Sequence, residues 1–168
     1  GLAFACLDRV SPVGLLGTGE RDLRVQPSLA KDEVMQWLVK LRTYSEGERT
    51  TLARRVTELN ARLSNRALVF VLSDLHEPEA MDALKLMAQV HDVVVFQLQD
   101  PAEVELRGAG FLRAEEAETG AGFVTHGRRQ RLDPEAARQE LRRGGIDHLL
   151  IRTDEPYAQP LRLFLKDR

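Results

Sequence analysis

The chain has 168 residues, 43% of them apolar and 30% charged, and 24 Lys and Arg nearly balance 26 Asp and Glu for a net charge of -2. That size fits one domain over residues 1–168, the apolar share excludes a disordered chain, and the lack of a basic excess argues against a nucleic-acid partner. The lone Cys6 excludes an internal disulfide or a cysteine metal cluster; with no leader-like segment and no apolar run near the ~20 residues of a membrane span, the cytoplasm fits best.

The chain begins at Gly1 inside an apolar run, without an initiator Met, and reads as a piece of something longer. Leu2–Leu7 is apolar almost throughout, as a strand covered on both faces would be. Val13–Leu16 follows as a second short strand after Ser11-Pro12, and Gly17-Thr18-Gly19 marks a turn. From Asp32 the period becomes helical, with Val34, Trp37, Leu38 and Leu41 on one face until Ser45-Glu46-Gly47 breaks it. A further helix over Thr51–Leu63 carries Leu52, Val56, Leu59 and Leu63 on one side.

Ala67–Leu72 reads as a central parallel strand, and Pro78 suits the first turn of a helix burying Met81, Leu84, Met87 and Ala88. His91-Asp92 ends that helix, His91 being favoured there by the helix dipole, and Val93–Leu98 is the next strand. Phe111–Leu112 and Phe123–Val124, parted by Glu118-Thr119-Gly120, read as a small hairpin or two short strands. Asp133 caps a helix with Pro134 at its first position, running to Arg143 before Gly144-Gly145. His148–Arg152 is a last strand, and Pro156–Lys166 a helix with Leu161, Phe164 and Leu165 toward the core. This alternation predicts an α/β fold with a mostly parallel sheet, helices on both faces and ligand chemistry at the strand C-termini.

Four expected strand ends carry a carboxylate: Asp8, Asp74, Asp100 and Asp154. Turn chemistry is the simpler account of Asp8, Asp100 and Asp154. For Asp74, which follows a hydroxyl residue on the most apolar strand, a hard-cation ligand is an equal reading. Asp74-x-His76 also resembles the opening of a two-metal phosphoesterase site. Such a site needs further His, Asn and Asp ligands from later strand ends. His76, His91, His126 and His148 stand isolated and no Gly-Asn occurs, so that template fails. Glycine-rich phosphate and dinucleotide loops are missing as well, and Arg128-Arg129-Gln130-Arg131 reads as a solvated loop.

In order, "RALVFVLSDL", "HDVVVFQLQDPAEVEL", "EAETG", "IDHLLIRTDEP" and "LRLFLKDR" resemble the von Willebrand factor A-like proteins of domain-of-unknown-function family 58. The likeness is strongest from Arg66 to Leu106. It implies a Rossmann-like von Willebrand A-type fold, partner binding rather than turnover, and pairing with a MoxR-type AAA+ ATPase. It also implies a metal-ion-dependent adhesion site for Mg²⁺ or Mn²⁺ at the sheet's C-terminal edge. Residue by residue, Asp74 takes the family's late Asp and Thr50 its Thr, with Thr51 as the alternative. No Asp-x-Ser-x-Ser occurs, so the expected site is incomplete and no metal is expected to bind tightly in this chain. "GLAFACLDRV" would match the second sheet strand, and the first strand would be absent from between it and Ala67–Leu72. Those two strands would then pair with each other, self-associate with another chain, or leave a gap. The resulting expectation is a non-enzymatic interaction module with Asp74 and Thr50 as remnants of its metal edge. The alternatives are a small metal-dependent phosphatase or hydrolase using Asp74, Asp100 and Asp154, or a structural remnant without a site.

Overall fold

The computed structural model describes residues 2–20, 23–42, 49–101, 111–115, 122–126 and 133–168. Ser45-Glu46-Gly47, Glu118-Thr119-Gly120, Arg128–Arg131 and the side chains of Leu38, Phe111, Leu112, Phe123, Val124 and His126 lie outside what is described. The architecture is mixed α/β around a three-stranded parallel sheet. In chain order the elements are α1 (Leu2–Asp8), β1 (Val13–Leu16), β2 (Arg24–Ser28), α2 (Lys31–Arg42), α3 (Leu52–Arg62), β3 (Leu68–Ser73) and α4 (Ala80–Ala88). They continue with β4 (Asp92–Gln99), β5 (Phe111–Glu115), β6 (Gly122–His126), α5 (Pro134–Arg143), β7 (Asp147–Arg152) and α6 (Ala158–Asp167).

The first apolar run corrects the sequence reading. Leu2–Leu7 is not a strand but most of α1. Six apolar residues satisfy a buried strand and a helix equally, and here Ala3, Phe4 and Leu7 meet Val34 and Trp37 of α2 on one helical face. The helix closes in a Schellman motif, with the Ser11 amide donating to the Cys6 carbonyl at 3.0 Å and the Val10 amide to the Leu7 carbonyl at 2.9 Å. Val10 takes the left-handed position, φ 57°, that glycine usually fills. Asp8 therefore ends a helix rather than a strand, and its carboxylate lies 3.6 Å from Lys31.

β1 pairs antiparallel with β2, a strand that the sequence pattern does not announce. In α2, Val34 and Trp37 are buried, but Leu41, expected beside them, is exposed. The hairpin is tied to α3: the buried Arg55 guanidinium donates to the Gly19 and Glu20 carbonyls and pairs with Glu58 at 3.2 Å.

The parallel sheet has the order β3-β4-β7. Its middle strand is apolar from Val93 to Phe96 because it is covered on both faces, and Val93 to Gln97 are all buried. On one face Val71, Val93 and Val95 pack with Leu52 and Val56 of α3, Met81, Leu84 and Met87 of α4, and Ala137 and Leu141 of α5. On the other, Phe70 stacks on Phe96 at 5.6 Å, and Phe164 of α6 meets Phe96 edge-on at 5.9 Å. Helices thus lie on both faces. β5 and β6 form the expected hairpin, Phe111 opposite His126 and Glu115 opposite Gly122. Asp133 caps α5 by accepting from the Glu135 amide at 3.4 Å, with Pro134 as first residue.

Candidate functional site

The chain leaves β3 through Ser73-Asp74-Leu75-His76-Glu77, and each residue of this turn has a separate task. Ser73 Oγ accepts from the Leu75 amide at 3.0 Å, and Asp74 Oδ1 accepts from the His76 amide at 3.2 Å. These local bonds hold Leu75 at φ 58°, a conformation that L side chains avoid, while its side chain is buried in the main core. Anchored in this way, Leu75 turns its two neighbours outward. Asp74 and His76 are both exposed, and Asp74 Oδ2 lies 2.9 Å from His76 Nδ1. The His76 hydrogen bond holds the Asp74 carboxyl below its ordinary range, against the opposing effect of partial burial.

Glu77 then reaches back across the site. Its Oε2 accepts from the Leu52 amide at 2.7 Å and its Oε1 from the Ala53 amide at 3.2 Å, so a distant carboxylate fills the N-terminus of α3. Unpaired amides and the dipole at a helix start favour an anion there. Thr51, the residue at the N-cap position, makes no side-chain cap bond of its own. Thr51, the alternative to Thr50, donates its hydroxyl to the Thr18 carbonyl at 2.9 Å. Thr50 itself is exposed and precedes the two amides held by Glu77, so the α3 start and the Asp74 turn share one stretch of the sheet's C-terminal rim. Sequence reasoning missed Glu77, because nothing local links it to a helix start 25 residues earlier.

The other expected site residues are used differently. Asp154 takes a forked pair from Arg152, 3.2 Å from Nε and 3.1 Å from Nη2, and this bond holds its carboxyl low. Asp100 is exposed just past β4 and has its own polar partner. His91 stands at the end of α4 as expected; it is buried, and its Nδ1 accepts from the Ala67 amide at 3.3 Å, joining the end of α4 to the start of β3. On the sheet itself, His148 Nε2 lies 2.9 Å from Gln97 Oε1.

Among the described residues no three His, Cys, Asp or Glu side chains gather as metal ligands. Both Asp74 oxygens already engage His76. This donor set does not fit a Mg²⁺ or Mn²⁺ held by the chain alone, since either ion asks for several oxygen ligands in a near-octahedral shell. Among the described residues, no helix is long and apolar enough to cross a membrane.

No curated protein and no solved structure matches the chain. The match to a family model ends before β7 and α6, so "IDHLLIRTDEP" and "LRLFLKDR" lie beyond it. It covers residues 1–144, and the chain belongs to that family, described as "Protein of unknown function DUF58".

Proposed function

We propose that the chain is a non-enzymatic protein–protein interaction module of the Rossmann-like von Willebrand A type, working in the cytoplasm with a MoxR-type AAA+ ATPase. Its recognition surface is the rim that carries Asp74 and Thr50. The observation that carries this reading is the Asp74 turn. A carboxylate emerges from the C-terminal end of β3 onto an open rim, fixed by His76 and by a strained Leu75 backbone whose side chain is locked in the core. Backbone strain of that kind persists where the surrounding packing over-determines it and often marks a functional position. An open carboxylate suits capture by a second protein. A hydrolase needs a nucleophile or base facing an enclosed substrate, whereas Asp74 and Asp154 are both exposed.

Any Mg²⁺ or Mn²⁺ at this rim would draw most of its ligands from water and from the partner. The test measures binding of a MoxR-type ATPase to the wild-type protein and to Asp74→Ala, in Mg²⁺ or Mn²⁺ and in EDTA, with phosphatase activity assayed in parallel. Loss of binding in Asp74→Ala with no change in phosphate release supports the module. Phosphate release that depends on Asp74 sinks it in favour of the enzyme.

A further inference from the structure

Asp74 and Thr50 stand on different elements far apart in the chain, so nothing covalent sets one against the other. Asp74 belongs to the turn leaving β3, and Thr50 comes shortly before α3. The backbone beside Thr50 is held on two sides. The Thr51 amide and hydroxyl both donate to the Thr18 carbonyl, at 2.7 and 2.9 Å, and the next two amides, Leu52 and Ala53, donate to Glu77. A helix start is ordinarily capped by the residue at its own N-cap position. Thr51 holds that position here, and its hydroxyl is spent on the segment between β1 and β2. The amides of α3 are left to a carboxylate 25 residues along the chain.

Glu77 does more than cap. Its backbone carbonyl accepts from the Ala80 amide at 3.1 Å and so opens α4, while its side chain closes the start of α3. One residue therefore joins the exit of β3 to the starts of two helices. The grip on α3 gives one oxygen to each amide, and a two-pronged bond fixes orientation as well as distance. Leu75 of the turn and Leu52 of the helix are buried in the same core, so turn and helix start are tied by a polar grip and a shared apolar base. We infer that Glu77 is the positioning residue of the rim: by gripping α3 from the Asp74 turn, it sets where Thr50 stands relative to Asp74. The consequence for partner binding rests on the recognition reading above, since a surface made of two elements matches a partner only while their spacing is kept. The coupling itself is a property of this chain, measured without a partner or a cation.

Amide hydrogen exchange in EDTA reads that coupling. The Leu52 and Ala53 amides are expected to be protected. Asp74→Ala removes the acceptor of the His76 amide and speeds their exchange, although Asp74 bonds to neither. The expected change is about threefold or more, as for residues of one network. In a Glu77→Ala background the exchange is already fast, and Asp74→Ala adds nothing. A side chain that only capped α3 would leave the two amides indifferent to Asp74→Ala, and that result overturns the inference. So does exchange of the wild-type Leu52 and Ala53 amides at the rate of unprotected ones.

Binding of a MoxR-type ATPase, at a temperature where every variant is folded by circular dichroism, reads the consequence. Glu77→Ala weakens it by about tenfold through lost preorganisation, and Glu77→Gln, which keeps an acceptor for one amide, by less. Val10→Gly, a stabilising change at the end of α1, restores the melting temperature of Glu77→Ala but not its affinity. Recovery of both would reduce Glu77 to a stabilising cap and overturns the positioning role. A wild-type chain that binds no such ATPase sinks the recognition reading alone, and the exchange measurements still decide the coupling.

Discussion

The Glu77 carboxylate accepts the Leu52 amide at 2.7 Å and thereby closes, from another part of the chain, a helix start with no side-chain cap of its own. Glu77→Ala strips the partner from two amides at that end. The expected cost is about 1 kcal/mol, in the range of lost helix caps. For a domain of this size that lowers the melting temperature by roughly 2–4 °C, read by circular dichroism. Glu77→Gln keeps an acceptor without the charge and falls between wild type and Ala.

Val10 sits at φ 57° and 74% exposed, a β-branched residue in a place made for glycine. Val10→Gly removes the steric cost of the left-handed conformation and forfeits little burial. It should stabilise the chain by about 1 kcal/mol, seen as a higher denaturation midpoint with an unchanged slope. Val10→Ala, which keeps a Cβ, should recover less.

These two sites show where the sequence could and could not be read. Helices α3, α4 and α5 and strands β3, β4 and β7 were legible because their apolar periods run long enough to choose between 3.6 and 2, and because Asp133-Pro134 marks a start by itself. α1 was not, since its cap uses Val10 instead of glycine and only Pro12, just beyond the end, hinted at a stop. β2 was missed because Arg24-Val25-Gln26-Pro27-Ser28 has no alternation and Val25 as its one aliphatic side chain besides a proline. At the rim, Asp74 could be picked out from the strand it ends. The Glu77 cap and the Thr51–Thr18 bond join residues far apart in the chain, which no short spacing encodes, while the Arg152–Asp154 fork is local but shows only once the side chains are placed.

His148 faces Gln97 on the sheet and Arg138 and Glu135 on α5. Burial, then repulsion from Arg138, lowers its affinity for a proton below the ordinary value near 6.5, with Glu135 opposing. The unfolded chain therefore takes up this proton first as the pH falls. The His148 contribution to stability is complete above about pH 6.5 and declines below it until the folded form protonates too. His148→Gln retains a partner for Gln97 and cannot titrate, so denaturation midpoints between pH 7 and 5 should depend less on pH than in wild type.

His76→Ala should return the Asp74 carboxyl toward its ordinary value of 3.8, an upward shift measurable by carbon NMR titration. The sign follows from the depressed carboxyl: its stabilisation is present above the unfolded value and lost as acid protonates the folded form. The acid limb of the wild-type stability curve should therefore be steeper than that of the variant. A titration that does not move would mean that the 2.9 Å contact is not made in solution.

Helix α6 has no fully buried residue, and besides its half-buried Leu161 and Leu165 it rests on Phe164 against Phe96 and on Arg168, which clasps Asp92 and Asp147 at the starts of β4 and β7. A lid fastened at so few points detaches at lower free energy than the core beneath it unfolds. When it lifts, the stacked rings of Phe70 and Phe96 become the floor of a bare hydrophobic trough. Among the described residues, one flank of the sheet is therefore packed against three helices, and the other is covered by α6 through a few half-buried apolar side chains and one arginine.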